Sequence, residues 1–451
     1  MYRPRNLDKR LLEWKDSATR RPLVLRGARQ VGKSSLVRGF ASTFDHYIEL
    51  NLELEKDKRL FTTLPDPEKF VEAVQAIHSV DRKAGQSLLL FIDEIQQAPV
   101  AIQFLRYLYE KTPDVHVIAA GSLLEFALGE VKSMPVGRVE YIAVHPLSFE
   151  EYLTWTGRDS LRKALANIPV QPLLHEEIAE VFSEYMIIGG MPEVVDAKAN
   201  GASTIELSRL HGIIWNTYID DVERYGKNES ERNVLRHILN TASGVTDRFS
   251  FANFGGSNFR SREVSEALAA LDKARVIRIV RPTKSLQAPV IPELRAKPRL
   301  QWLDVGLLNY SSGIGPEVLY KGGLSDQYRG RIALQIVTQE LIAQHEAYGY
   351  EPHFWIRENS NANAEVNLVF QMGLNLIPLE VKSGSHGRLR SLHQFVERTQ
   401  SKLGARAYNS QLSIDQVKTP QGFDYQLLSI PLYGTGKLED YIAYAKSEQD
   451  Q

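Results

Sequence analysis

The chain has 451 residues, which at ~100–200 residues per domain predicts roughly two to four domains. Its composition is that of an ordinary globular protein, and its formal net charge of −1 gives no global excess that would point to a polyanion or a membrane surface. The absence of cysteine excludes disulfides, cysteine zinc sites and a cysteine nucleophile. Because no apolar run approaches the ~18 residues that span a bilayer, and the first residues form no apolar signal core, we expect a cytoplasmic protein without a membrane partner.

Short apolar runs alternate with helical patterns between residues 22 and 146, after a polar lead-in helix in residues 1–20 that Leu11, Leu12 and Trp14 are expected to dock. Runs of this length, with β-branched residues and helices between them, are typical of a mostly parallel sheet covered on both faces. The predicted strands are residues 23–25, 47–50, 88–92, 115–120 and 139–144.

The remainder of the chain is also a mixture of helices and strands. Residues 147–245 have a mostly helical pattern, and residues 246–312 combine a helix, short strands and a proline-containing loop. The tail is expected to form an α/β unit, with a long helix at 331–348, strands at 353–356, 364–370 and 376–381, a helix at 389–399 and two closing strands.

Residues 27–34 match G-x-x-x-x-G-K-[ST] between a predicted strand and a predicted helix, which is the context that a phosphate-binding loop requires. Its glycines let backbone N–H groups surround phosphate oxygens, and the helix that follows points its positive end at the same anion. Lys33 would reach the β- and γ-phosphates, and the Ser34 hydroxyl would bind Mg²⁺. We therefore predict ATP and Mg²⁺ as ligand and cofactor, with an ATP-binding loop formed by Gly27, Ala28, Arg29, Gln30, Val31, Gly32, Lys33, Ser34 and Ser35.

An acidic pair, Asp93 and Glu94, directly follows the apolar run 88–92. In an open α/β sheet, ligands bind at the carboxyl ends of the strands. Asp93 is therefore expected to hold Mg²⁺, and Glu94 to polarise the attacking water. Alone, the pair is equally consistent with a solvated strand end, but together with the phosphate loop it favours ATP hydrolysis.

Two further residues are candidates for the catalytic step. Ser122, just after the run 115–120, would sense the γ-phosphate, although it would also suit the N-cap of a helix at 123–128. Arg138 would stabilise the phosphoryl transition state, either within one subunit or from the neighbour in a homo-oligomer. The alternative for Arg138 is a surface ion pair.

Several longer motifs occur in a fixed order along nearly the whole chain. In addition to the loop they are FIDEIQ (91–96), AGSLLEF (120–126), PVGR (135–138), HPLSFEEY (145–152), GGMPE (189–193), WLDVGL (302–307) and PLEVKS (378–383). Together they resemble prokaryotic AAA+-type ATPases that carry a C-terminal domain of unknown function, itself similar to PD-(D/E)xK nucleases.

The resemblance implies an α/β protein with an ASCE-type P-loop core, a helical lid, a winged-helix-like module and a nuclease-like α/β domain. These are expected at residues 1–150, 151–245, 246–325 and 326–451. The implied function is Mg²⁺-dependent ATP hydrolysis that drives or gates a conformational change of the C-terminal modules.

The predicted winged-helix-like module is locally basic, with eleven Lys and Arg against five Asp and Glu in residues 247–299. This excess suits a DNA footprint with a recognition helix at 262–273, so the alternative function is an ATP-gated nucleic-acid-binding protein. The charges would equally serve to solvate the module and to pair with neighbouring acids.

The nuclease-like tail lacks one expected acid. Glu380 and Lys382 match the E-x-K part of the motif, and Glu340 on the long helix is the candidate for the helix acid. Asn367 stands where the family pattern has aspartate, and an amide brings no negative charge to a cation that depends on carboxylates. The sequence therefore predicts a retained fold with a degenerate site and no nuclease activity.

Overall fold

The computed structural model describes residues 2–122, 137–222, 226–315, 326–345, 349–359, 362–384 and 389–448. Contacts divide the chain into two compact units, one built mainly from residues 1–145 and the other mainly from residues 146–451. Among the helices of these described ranges, none combines the length and the apolar composition needed to cross a bilayer.

A parallel sheet forms the centre of the first unit. Its strands are β1 Leu23–Arg26, β2 His46–Asn51, β3 Leu88–Asp93, β4 Val115–Ala120 and β5 Glu140–Ala143. They lie in the order β2-β3-β4-β1-β5, and every neighbouring pair is parallel. β3 and β4 are buried along their whole length because helices cover both faces, which is why their sequences are continuously apolar. The five strands predicted from the apolar runs are confirmed.

The described helices of this unit are α1 Leu7–Asp16, α2 Lys33–Phe40, α3 Glu55–Thr63, α4 Pro67–Ile77 and α5 Pro99–Lys111. The lead-in helix α1 docks through Leu11 and Trp14, which are both buried. The expected contribution of Leu12 is wrong: its side chain is 43% exposed. Adjacent helical residues point in different directions, so Leu12 turns away from the face that Leu11 buries.

The second unit begins with a helical region, as predicted. Its described helices are α6 Phe149–Trp155, α7 Asp159–Leu165, α8 Pro172–Ile188, α9 Pro192–Ala199, α10 Thr204–Asp220, α11 Glu229–Thr241, α12 Ser261–Lys273, α13 Val305–Ser311, α14 Asp326–His345, α15 Arg390–Thr399 and α16 Leu438–Ser447. The terminal helix α16 was not predicted from the sequence.

An eight-stranded sheet completes this unit. Its strands are β6 Ile277–Thr283, β7 Arg299–Trp302, β8 His353–Asn359, β9 Ala362–Met372, β10 Asn375–Val381, β11 Leu403–Tyr408, β12 Ser413–Lys418 and β13 Asp424–Pro431. They lie in the order β12-β13-β11-β10-β9-β8-β6-β7, so the tail closes on three strands rather than the two expected. Since β6 pairs with β8, the sheet continues across the predicted domain boundary at residue 325. The division of the chain into four domains stays a prediction.

Two of the sequence motifs meet in the interior of the second unit. Asp304, from WLDVGL, is fully buried, and its carboxylate accepts hydrogen bonds from the backbone N–H of Gly190 at 2.7 Å and of Gly306 at 2.9 Å. Gly190 belongs to GGMPE. Because a buried carboxylate is costly without donors, this contact fixes how α13 and the start of α9 meet. These motifs therefore have a structural role.

Glu340 is a second buried carboxylate of this unit. Its Oε1 accepts hydrogen bonds from the Tyr185 hydroxyl at 2.8 Å and from the Phe149 N–H at 3.1 Å. Burial raises the pKa of the Glu340 carboxyl to about 8, although both hydrogen bonds oppose this increase. Glu340 thus belongs to the contact between α14 and the helical region, and it retains a proton at neutral pH.

Replacement of Glu340 by glutamine is expected to remove a pH dependence of stability. With a pKa of about 8 in the folded protein and 4.5 otherwise, the folded state keeps a proton that the unfolded chain has released. The stability that this proton contributes is fully present below about pH 4.5, and it falls by about 1.4 kcal/mol per pH unit as the pH rises towards about 8. Urea unfolding of both proteins between these pH values should show the unfolding free energy of wild type falling relative to that of Glu340→Gln as the pH rises. A difference between the two free energies that does not change with pH would contradict the assignment.

Candidate functional site

The phosphate loop connects the end of β1 to the start of α2. Gly27 opens the loop with φ +152°, and a Cβ atom there would lie 2.4 Å from the Val144 carbonyl oxygen, so no other residue fits. The first N–H groups of α2, which begins at Lys33, have no acceptor within the helix. They are available to an anion at the carboxyl edge of the sheet.

Lys33 is buried beneath this loop, with 7% of the residue exposed. Its Nζ donates hydrogen bonds to the carbonyl oxygens of Gly27 at 2.9 Å and Ala28 at 2.7 Å. Burial lowers the pKa of the Lys33 ammonium to about 8, while the charges of Glu94 and Asp93 oppose that decrease. The Lys33 ammonium is therefore held by the loop carbonyls within the electrostatic influence of both carboxylates, and its contact with phosphates stays a prediction.

Ser34 and Asp93 are in direct contact, although they are far apart in sequence. The Ser34 hydroxyl donates to Asp93 Oδ2 at 2.7 Å, and Asp93 is only 6% exposed. Burial raises the pKa of the Asp93 carboxyl, and the Ser34 hydrogen bond opposes this. A hydroxyl and a carboxylate oxygen are ligands that Mg²⁺ prefers, so this pair fits the predicted ion.

The other loop residues differ in their exposure. Val31 is fully buried, Arg29 is half-buried with a charge that opposes protonation of Lys33, and Gln30 and Ser35 are exposed. Van der Waals packing of Val31 thus holds the middle of the loop, while Gln30 and Ser35 face outward.

Glu94 directly follows β3 in a left-handed backbone conformation, with φ 52°. Its Oε2 accepts a hydrogen bond from Nε2 of Gln96, which the sequence did not single out as a site residue. Ser122 follows β4, which lies between β1 and β3 in the sheet. Its Oγ is buried and has no hydrogen-bond partner within the described residues. The fold therefore gathers Ser122, Glu94 and Lys33 at one edge; the alternative N-cap role concerns residues 123–128, which lie outside the described ranges.

Arg138 is not brought to the phosphate loop. In the parallel pair β1–β5, Glu140 aligns with Leu23 and Ala143 with Arg26, so Arg138 precedes β5 at the opposite edge of the sheet. Roughly six residues of extended chain separate that level from the loop, or about 20 Å. Its Nε contacts Glu110 Oε1 at 3.1 Å, which is the surface ion pair that we considered as the alternative. This arrangement contradicts a role of Arg138 within its own subunit.

Arg5 is a contact of the loop that sequence reasoning missed. It is 7% exposed, and it donates through Nη1 to the Val31 carbonyl at 3.1 Å and through Nη2 to the His145 carbonyl at 2.8 Å. The sequence around Arg5 is polar, and nothing in it distinguishes a buried arginine from an arginine that is exposed to solvent. Its place beside the loop follows only from the fold.

The nuclease-like residues of the second unit come together only in part. Asn367 Oδ1 accepts the Val381 N–H at 2.9 Å, and Lys382 Nζ lies 2.6 Å from Glu380 Oε1. Glu340 is not at this site, because its carboxylate faces the helical region instead. In the described ranges, no group of three or more His, Asp or Glu residues is arranged to hold a metal ion.

Three stretches of the chain match family models. Residues 19–153 match an AAA domain, residues 179–318 match a domain of unknown function (DUF8612), and residues 329–433 match another domain of unknown function (DUF4143). The AAA match contains the whole five-stranded sheet, the loop and the acidic pair. Comparison with curated proteins finds no match to this chain.

Solved structures to which this chain is similar in part include proteins of three organisms. A Walker-type ATPase of Pyrococcus abyssi is 16% identical with a TM-score of 0.46, over 69% of this chain and 96% of that one. The Orc1 protein of Aeropyrum pernix in complex with DNA is 14% identical with a TM-score of 0.28, over 68% and 90%. The RuvB Holliday junction branch migration motor of Thermotoga maritima is 16% identical with a TM-score of 0.28, over 61% and 88%. At these TM-scores none of the three bears on function.

Substitution of Arg5 by alanine is expected to weaken ATP binding about tenfold. The change removes two charge-assisted hydrogen bonds that hold the loop and the chain just after β5, and we expect about 1.4 kcal/mol of their free energy to be lost from ATP binding, which is tenfold in affinity. Isothermal titration calorimetry of Arg5→Ala measures the loss. Lys9→Ala is the matched control, because it removes an exposed cation from the same segment. Equal affinities of Arg5→Ala and wild type would contradict this role.

Proposed function

We propose that the chain, whose residues 19–153 form an AAA-type P-loop ATPase domain, binds and hydrolyses ATP with Mg²⁺ and uses the cycle to gate a conformational change of its C-terminal part. The observation that carries this proposal is the convergence of Lys33, Ser34, Asp93 and Glu94 at the carboxyl edge of one parallel sheet. These are the groups that phosphoryl transfer requires: a cation that binds the phosphates, ligands for the metal ion and a general base.

Each residue of the site has a defined part in this reaction. The N–H groups at the start of α2 and the ammonium of Lys33 bind the phosphates. Ser34 and Asp93 would hold Mg²⁺, which neutralises phosphate charge when it is bound. Glu94 accepts a proton from the attacking water, and the Ser122 hydroxyl donates a hydrogen bond to the γ-phosphate.

The contacts within the loop support a switch. Lys33 is bonded to the Gly27 and Ala28 carbonyls, and the Ser34 hydroxyl to Asp93. A nucleotide with Mg²⁺ competes for the same donors and acceptors, so binding must rearrange this edge of the sheet. Such local electrostatic changes are the usual origin of nucleotide-driven motions in P-loop proteins.

The position of Arg138 restricts its part in this mechanism. Arg138 lies at the amino edge of the sheet, too far from the phosphate loop of its own subunit to take part in catalysis there. A catalytic role would therefore require the phosphate loop of a neighbouring subunit. We therefore propose that Arg138 contacts the ATP of a neighbouring subunit in a homo-oligomer.

Substitutions at Lys33 and Glu94 are expected to separate binding from hydrolysis. Lys33→Ala should abolish nucleotide binding, because the buried cation that faces the phosphates is lost. Glu94→Gln should bind ATP with wild-type affinity and turn it over about 100-fold more slowly or worse, since general-base catalysis contributes on the order of 10²–10⁴-fold. Calorimetric affinities and Mg²⁺-dependent phosphate release measure the two effects.

The same proteins test the remaining parts of the proposal. A wild-type rate per subunit that falls steeply on dilution supports an active site shared between subunits, and a constant rate contradicts one. Glu94→Gln loaded with ATP should differ from its ADP complex in hydrogen exchange within residues 146–451. Identical exchange in both complexes would contradict gating, and a Glu94→Gln protein with normal turnover would remove Glu94 from the role of base.

We also propose that the tail has lost nuclease activity. The Asn367 amide oxygen accepts a hydrogen bond from the Val381 N–H, and Oε1 of the Glu380 carboxylate is paired with Lys382. Burial raises the pKa of the Glu380 carboxyl, which disfavours the charged form that a cation needs. Because Asn367 is uncharged and Glu340 lies elsewhere, Glu380 is the one carboxylate of the predicted set that remains for a divalent ion.

Purified protein with Mg²⁺ is therefore expected not to nick supercoiled plasmid DNA. Agarose gel electrophoresis over a protein titration measures nicking, and Glu380→Ala is the matched variant that separates this site from a contaminating nuclease. Nicking by the wild type that Glu380→Ala lacks would contradict the proposal.

The described contacts favour an internal role for part of the basic segment 247–299. Arg248 pairs with Glu358 at 2.5 Å, and Arg299 pairs with Glu365. Arg262 pairs with Glu266, and Lys284 pairs with Glu293 of the same segment. These pairs offset part of the local positive charge, and the burial of Arg299 favours a role inside the protein over contact with a polyanion.

A further inference from the structure

The Gln96 side chain is held beside the carboxylate of Glu94. Gln96 lies in the short 3₁₀ turn Ile95–Gln97, immediately after Glu94, and its Nε2 donates to Glu94 Oε2. The turn is anchored by Ile95, which is fully buried, and by a hydrogen bond from the Gln97 N–H to the Glu94 carbonyl at 2.9 Å. The amide is therefore attached to a rigid support.

The backbone at Glu94 is itself constrained. Its left-handed conformation, φ 52° and ψ 43°, is uncommon for a residue with a side chain and costs on the order of 1–3 kcal/mol. Such a conformation persists only where surrounding contacts maintain it. Here those contacts are the anchored turn and the Gln96 amide, which together set the direction of the Glu94 side chain.

Gly121 is the neighbour that makes room for this amide. It directly follows β4, the strand adjacent to β3, and a Cβ atom at Gly121 would lie 2.3 Å from Gln96 Oε1. Its backbone is not in the left-handed region, so the turn itself does not require glycine. The close approach of Gln96 supplies the physical reason for glycine at this position.

We propose that Gln96 is a positioning residue for ATP hydrolysis: it orients Glu94 towards the attacking water, and Gly121 provides the space that this contact requires. The inference rests on the proposed ATPase function. A donor fixed on Oε2 leaves the other carboxylate oxygen of Glu94 to accept the proton. A general base works only within hydrogen-bond reach of its proton, and a displacement of about 1 Å can lower a rate on the order of 100-fold.

Gln96→Met removes the donor and retains the length of the side chain. It is expected to lower kcat on the order of 10–100-fold and to leave the ATP dissociation constant within about twofold of wild type, because Gln96 acts on the base and not on the phosphates. A loss of affinity that matches the loss of rate would indicate general damage to the site and would overturn the assignment.

A double-mutant cycle tests whether Gln96 acts through Glu94. In the Glu94→Gln background, Gln96→Met should change the residual rate by no more than about twofold, since there is no longer a base to orient. If the two losses multiply, Gln96 acts independently of Glu94 and the inference is wrong. Urea unfolding of the four proteins gives a readout without turnover: a direct contact predicts non-additive unfolding free energies.

Gly121→Ala tests the same contact from the other side. The added methyl group should displace the flexible Gln96 amide and reproduce the rate loss of Gln96→Met in a folded protein. In a Gln96→Ala background the methyl group meets no amide, so Gly121→Ala should have no further effect on the rate. A further loss there would contradict the proposed reason for Gly121.

The ATP turnover of wild type distinguishes an incorrect role for Gln96 from an incorrect ATPase function. A wild type that binds ATP without turnover refutes the function, and with it the step in which Gln96 takes part. A wild type that hydrolyses ATP, while Gln96→Met and Gly121→Ala retain the wild-type rate, refutes the role of Gln96 alone.

Discussion

The burial of the Lys33 ammonium beneath its own loop is the interaction on which the first unit depends. A cation that is 7% exposed needs acceptors, and the Gly27 and Ala28 carbonyls provide them. The loop adopts this shape because it leaves a strand buried in a parallel sheet and enters a helix. Phosphate oxygens are stronger acceptors than carbonyls. The contact that stabilises the free loop is therefore also the one that a nucleotide replaces, which links the fold of this unit to its proposed chemistry.

The same requirement, that a buried polar or ionisable group must have partners, also organises the second unit. The Asp304 carboxylate is satisfied by backbone N–H groups, and Glu340 by Tyr185 and a backbone N–H. It also applies to the eight-stranded sheet. The Asn367 oxygen accepts the Val381 N–H, and Glu380 Oε1 is paired with Lys382, so both side chains have contacts that hold neighbouring parts of the sheet together.

Much of the fold was predictable because its signals are local. Continuous apolar runs identified all five strands of the parallel sheet, and the helix expected at 262–273 is present as α12. The failures have physical causes. The terminal helix and one closing strand lack a strong pattern, and Leu12 is apolar but faces away from the core. Arg138 and Glu340 were assigned from residue type, which indicates what a side chain can do but not which edge of a sheet, or which neighbour, it reaches.

The sequence by itself determined the phosphate loop and the acidic pair, because each is a short contiguous segment whose conformation depends on the strand before it. Only the tertiary structure decided which other residues support them. Arg5 contacts carbonyl groups that are 26 and 140 residues away, and Gln96 meets a glycine at the end of another strand. No local pattern in the sequence indicates such contacts. They arise because parallel strands bring the ends of distant segments to one edge of a sheet. Polar groups that are buried there are stable only when they form hydrogen bonds with each other.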